Sequence, residues 1–179
     1  MIYLIRHGEA AAGWGDHPDP GLSALGAKQA EAVAEQIKAL AITNIISSPM
    51  QRCRETSAPS SGLLSLTPTI SPAVSEIRTP PDVDDRVAWL RDLMAGTWTD
   101  TGSRFVAWRA IMGAFIDALP PHTAVFSHFV AINALSGLLE DDDRVTVFRP
   151  GHCSVTRLER RSGRLRVAEY GSESATRVL

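Results

Sequence analysis

Residues 1–9 read MIYLIRHGE: an apolar run, then an arginine, a histidine, a glycine and a glutamate. Residues 2–5 (IYLI) are apolar without alternation, the pattern of a strand covered on both faces and typical of parallel sheets. A buried strand normally ends in turn chemistry. This one ends in a permanent cation and in the side chain best suited to nucleophilic or acid–base work near neutral pH.

Outward from that strand the pattern alternates. Ser23 can cap a helix running from Leu25 to Leu40, with Ala30, Val33, Ala34, Ile37 and Leu40 at helical spacing. Residues 44–47 (NIIS) read as a second strand, broken by Pro49, and a helix from Pro49 or Met50 to about Ala58 follows. The stretch 59–72 is loop-rich, with a strand expected at 68–71. A loop over 79–85 leads into a helix over 85–95, and another helix covers 103–118. Residues 123–127 (TAVFS) return to the buried-strand pattern, ahead of a helix from Val130 to Leu139. Strands are expected at 144–148, 153–159 and 164–169, the last two joined by a hairpin turn at Ser162-Gly163. Alternating strands and helices imply a three-layer α/β/α sandwich with a mostly parallel central sheet. At 179 residues the expectation is one domain over 1–179.

Bulk properties exclude several classes. The chain is 44% apolar and 21% charged, as a globular protein is, and its net charge of −2 argues against a general binder of nucleic acid or anionic membranes. The apolar run after Met1 stops at Arg6, too short for a signal peptide or a spanning helix. Cys53 and Cys153 have no metal-ligand spacing and read as free thiols of a reducing compartment, so a cytoplasmic location is expected. There is no GxxxxGK[ST], no HExxH and no aspartate-rich metal cluster, the run Glu140-Asp141-Asp142-Asp143 reading as a solvated loop; neither a metal nor an organic cofactor is expected.

Ligands of open α/β sheets bind beyond the carboxyl ends of the strands. The first strand ends in Arg6-His7-Gly8-Glu9, the second in Ser47-Ser48-Pro49 with Arg52 one helical turn on, and another in Ser127-His128. Two arginines and two histidines thus converge on one edge. Arginine presents a planar fork of donors matched to phosphate oxygens, and four such groups would hold a tetrahedral dianion. Histidine can itself be the nucleophile, and neighbouring arginines disfavour the imidazolium, keeping a lone pair available. Gly8, lacking a side chain, allows a close backbone approach to the ligand.

The segments RHGEA at 6–10, LSALGAKQA at 22–30, SSPMQRCRET at 47–56 and VFSH at 125–128 together resemble the histidine phosphatase superfamily, with its phosphoglycerate mutase-like fold. The resemblance implies that His7 is the nucleophile and that Arg6, Arg52 and His128 form the phosphate pocket. It places the proton donor in Val74-Ser75-Glu76, making Glu76 the candidate, with Asp82, Asp84 and Asp85 as substitutes. The Phe129 backbone N–H can reach the phosphate in place of the family's glycine, and Glu9 reads as structural, orienting a loop or an arginine.

The chain departs from the family pattern at named positions. Ala10 and Gly13 stand where sugar-phosphate members carry Thr or Ser and then Asn; Phe129-Val130 replaces Gly-Gly; and Ile77-Arg78-Thr79-Pro80-Pro81 follows Glu76. The chain also lacks the long insertions of the mutases. These features favour a metal-independent phosphomonoesterase working through phosphohistidine over a mutase. The competing readings are a protein phosphohistidine phosphatase and a phosphate-binding regulatory homologue without turnover. The expected partner is a phosphorylated small molecule or phosphoprotein. Arg78 and Arg86 are candidates to face the substrate, and Trp14, His17 and His152 to line the mouth. Trp89, Trp98 and Trp108 read as core or interface residues. The sequence leaves the oligomeric state open.

Overall fold

The computed structural model describes residues 1–13 and 17–174. Its centre is β1 (Ile2–Arg6), buried along its whole length. Ile2 and Leu4 point into one apolar core while Tyr3 and Ile5 point into another on the opposite face, so the period of two hides in an unbroken apolar run. β1 pairs in parallel with β4 (Thr123–Ser127), which pairs in parallel with β2 (Asn44–Ser47), and β2 with the short β3 (Thr69–Ile70). On its other side β1 meets β5 (Val155–Arg161) antiparallel, and β6 (Arg164–Glu169) returns along β5. The order is β3-β2-β4-β1-β5-β6, and five of the six strands share one direction, with β5 running against them.

Helices cover both faces, giving the three-layer α/β/α arrangement. α1 (Ala24–Lys38) and α2 (Gln51–Leu64) pack together on the side of Tyr3 and Ile5, where Val33, Ile37 and Cys53 close the core. α3 (Arg86–Ala95), α4 (Ser103–Asp117) and α5 (Phe129–Leu139) cover the other face with Leu90, Phe105, Met112, Ile116, Ile132 and Leu135. Among the described residues no helix is long and apolar enough to cross a membrane.

Three stretches differ from the sequence reading. α2 does not stop at Ala58 but continues through Pro59 to Leu64. Its buried face of Cys53, Thr56, Ser57 and Ser60 is held in place, and that packing outweighs the single N–H that proline removes. It ends at Ser65 in the left-handed region (φ 55°). β3 is shorter than expected, two residues rather than four. Residues 144–148 form no strand; Val145 and Phe148 are buried, but the amides of Val147 and Phe148 both donate to Oδ1 of Asn133 on α5, at 2.7 and 3.0 Å. A buried asparagine takes the place of a partner strand.

Candidate active site

The carboxyl ends of β1, β2 and β4 open on a cavity of about 720 Å³. Its base is formed by Arg6, His7, Arg52, Glu76, Phe129 and His152. Prolines 18, 20, 49, 80 and 81 and Ala10–Gly13 form much of its wall, with His17, Arg78 and Arg86 also lining it.

His7 leaves β1 with its ring fixed at both nitrogens. Nδ1 lies 2.7 Å from the carbonyl of Gly8, which can only accept, so Nδ1 carries the proton. Nε2 is then the lone-pair nitrogen, and it accepts from Nε–H of Arg52 at 3.2 Å. Burial first, and then the charges of Arg52 and Arg6, hold the imidazole well below its ordinary value of 6.5. The ring is neutral at physiological pH.

Arg52 projects from the first turn of α2, whose N-terminus is braced by Asp19: Oδ1 accepts from the Gln51 amide at 2.9 Å and lies 3.8 Å from Nη1 of Arg52. Arg6, almost fully buried, stands with its guanidinium carbon 5.2 Å from the centre of the Phe129 ring. Its Nη1 donates to the carbonyl of Pro150 at 2.8 Å, and its Nη2 lies 3.0 Å from Nε2 of His152. Burial dominates here too, lowering the guanidinium to about 10 and leaving it charged.

Glu76 follows a short 3₁₀ turn, Pro72–Val74, that Ser71 caps. Its carboxylate closes the first turn of α5, Oε2 accepting from Val130 N–H and Oε1 from Ala131 N–H, both at 3.0 Å; the Ile77 amide adds a third bond at 3.0 Å. Burial raises its pKa above the ordinary 4.5, and these backbone bonds and Arg52 pull the other way without cancelling the rise. Asp82, Asp84 and Asp85 are exposed and do not line the cavity; Asp85 caps α3 through the amides of Val87 and Ala88.

Two sequence-derived candidates sit differently from expectation. Gly8 does not line the cavity: its amide donates to Thr56 Oγ1 at 3.0 Å, and a Cβ there would lie 2.6 Å from the carbonyl of Gly26. The close approach it permits is to α1, not to a ligand. His128 is fully buried behind His7, its ring centre 5.2 Å away and edge-on, and it does not line the cavity either. Its Nε2 shares a hydrogen bond with Ser48 Oγ at 2.8 Å and lies 3.3 Å from Cys53 Sγ. Burial and the charge of Arg52 keep it well below 6.5. Glu9 is tied into the α1 entry by Ser23 Oγ at 2.7 Å, as scaffolding would be.

Phe129 places its ring at the cavity, and no acceptor among the described residues stands against its N–H. Trp98 is core and Trp89 and Trp108 pack against it; Trp14 lies outside the described residues. His152 is the residue whose weight the sequence understates. β5 runs antiparallel to β1, so the residues just before β5 lie beside the end of β1, and the Cys153 amide donates to the Arg6 carbonyl at 3.0 Å. Antiparallel placement of the 153–159 segment would have pointed to it.

The chain matches the probable phosphoglycerate mutase GpmB of Proteus mirabilis at 41% identity over 63 residues, which is 31% of this chain and 28% of that protein. The aligned part is therefore well under a third of that relative's length. In overall shape it resembles the mycobacterial glucosyl-3-phosphoglycerate phosphatase in complex with VO3, with a TM-score of 0.77 at 23% identity, covering 96% of this chain and 98% of the other. The phosphoserine phosphatase of Entamoeba histolytica in complex with 3-phosphoglyceric acid gives a TM-score of 0.76 at 21% identity, with 96% of each chain covered. At such identities the likeness speaks to the fold. The family model of the histidine phosphatase superfamily, branch 1, matches residues 2–173, nearly the whole chain, and the chain belongs to that superfamily.

Proposed function

We propose that the protein is a metal-independent phosphatase that hydrolyses a phosphomonoester through a covalent phosphohistidine on His7. The observation that carries this reading is the state of the His7 ring: Nδ1–H is committed to Gly8, Nε2 bears the lone pair, and two arginines flank it at a cavity base. Nε2 attacks phosphorus in line as the bond to the ester oxygen breaks, and Glu76 gives that oxygen its proton. The Arg6 and Arg52 guanidinium groups balance charge on the non-bridging oxygens, and the Phe129 N–H at the start of α5 adds a donor. Glu76, now a carboxylate, takes a proton from water as the water attacks phosphorus, and inorganic phosphate leaves neutral His7 behind. His128 supports the nucleophile from behind.

A phosphorylated small molecule is the substrate favoured here, because the cavity is walled and larger than a phosphate alone, with Arg78 and Arg86 among the residues that line it. The neighbours named above as phosphatases of phosphoserine and of glucosyl-3-phosphoglycerate point the same way. His7→Ala tests the reading: hydrolysis of p-nitrophenyl phosphate and acid-labile labelling by a radioactive phosphoester should both vanish. Turnover within tenfold of the parent would refute the nucleophile.

A further inference from the structure

Arg6 is held by a segment far away in sequence. Pro150 and His152 offer it two acceptors, a carbonyl at 2.8 Å from Nη1 and an imidazole nitrogen at 3.0 Å from Nη2. A guanidinium has donors only, so His152 Nε2 must accept and the ring's single proton must sit on Nδ1. Two acceptors on the two terminal nitrogens fix the plane of the fork, while the Phe129 ring backs it at 5.2 Å. The loop carrying those acceptors is itself pinned: Gly151 N–H donates to Ser172 O at 2.8 Å, and Cys153 N–H to Arg6 O at 3.0 Å. His152 also lines the cavity, its ring centre 6.0 Å from that of His7.

We propose that His152 is a positioning residue for phosphoryl recognition, an imidazole acceptor that aims the Arg6 guanidinium at the phosphoryl site. The inference rests on the phosphatase reading for its link to turnover, but not for its link to anion binding. Burial and the neighbouring Arg6 hold the ring down to about 4, so it remains an acceptor across the neutral range. A protonated ring would turn a donor toward a donor and release the fork. An acceptor of similar reach to Nε2, such as the glutamine carbonyl, can replace it; a side chain without one cannot.

The experiment compares His152→Ala and His152→Gln with the parent, measuring the Kd of inorganic phosphate by calorimetry and kcat and KM for p-nitrophenyl phosphate. His152→Ala should weaken phosphate binding and raise KM by about tenfold, the loss of one charge-assisted bond, with kcat within about threefold. His152→Gln should restore both to within about threefold of the parent. Phosphate binding unchanged in His152→Ala, or His152→Gln as impaired as His152→Ala, overturns the proposal. A parent that binds phosphate but does not hydrolyse esters would refute the phosphatase reading while the calorimetry still decides on His152.

Discussion

The carboxylate of Glu76 accepts from the amides of Ile77, Val130 and Ala131, and in doing so closes the open end of α5 at the wall of the cavity. One side chain therefore carries two tasks, and a substitution can separate them. Glu76→Gln keeps the shape and an acceptor oxygen but has no proton to exchange with the ester oxygen; kcat should fall by about 10²–10⁴-fold. Stability responds with a defined sign. Burial raises the folded pKa above the ordinary 4.5, so above that pH the native state binds more protons than the unfolded chain. Wild-type stability is then lost as pH rises through the folded pKa, whereas glutamine adds no such slope. The Tm difference, wild type minus Glu76→Gln, should shrink as pH rises from 4.5 to 8. A pH-independent difference would mean that Glu76 ionises in the fold as it does in water.

Among the elements, α5 links the core to the site. Asn133, fully buried, donates through Nδ2 to the Phe129 carbonyl and accepts from Val147 and Phe148, so it orders the chain that runs on to Pro150 and His152. Asn133→Ala leaves two amides without their acceptor and should cost roughly 2–6 kcal/mol, from about 1–3 for each unpaired group. Urea unfolding reads that loss; an unchanged midpoint would show that the loop finds other partners. The same segment shows where sequence patterns stop being informative. β1, β2 and β4 were legible because strands covered on both faces leave unbroken apolar runs, and their shared direction brought Arg6, His7, Arg52 and His128 together. Residues 144–148 (RVTVF) are rich in β-formers, yet the amides of Val147 and Phe148 bond to a side chain, which a strand-like composition does not register. Pro59 likewise reads as a helix stop, because the tertiary packing that carries α2 past it leaves no local signal. His152 reaches the site through the antiparallel return of β5 rather than through a motif, and the side of Gly8 that needs to be bare faces α1.

For the molecule as a whole, the cost of this architecture is paid in acid. Three imidazoles crowd together, His7 and His152 at the base of the cavity and His128 behind His7, with ring centres 5.2 Å apart for His7 and His128 and 6.0 Å for His7 and His152. All three are held neutral, first by burial and then by charge: Arg52 and Arg6 hold His7 and His128 well below 6.5, and Arg6 holds His152 at about 4. The unfolded chain protonates them near 6.5, so below that pH it binds more protons than the native state does. Their contribution is fully present above 6.5 and is lost as pH falls. An imidazole that stays neutral in the fold gives a slope that rises toward roughly 1.4 kcal/mol per pH unit below 6.5. Two such slopes are large beside the roughly 5–15 kcal/mol that holds a domain folded. Glu76 acts with the opposite sign, but as one group against three it softens the slope without reversing it. Urea titrations at half-unit steps from pH 7 to 5 should show this steep decline, and His128→Asn, which removes one of the two steepest contributions, should flatten it by roughly 1.4 kcal/mol per unit. A stability that stays level down to pH 5 in the wild type would mean that the imidazoles take up protons within the fold. The neutral nucleophile on which the phosphatase reading depends would then be lost with them.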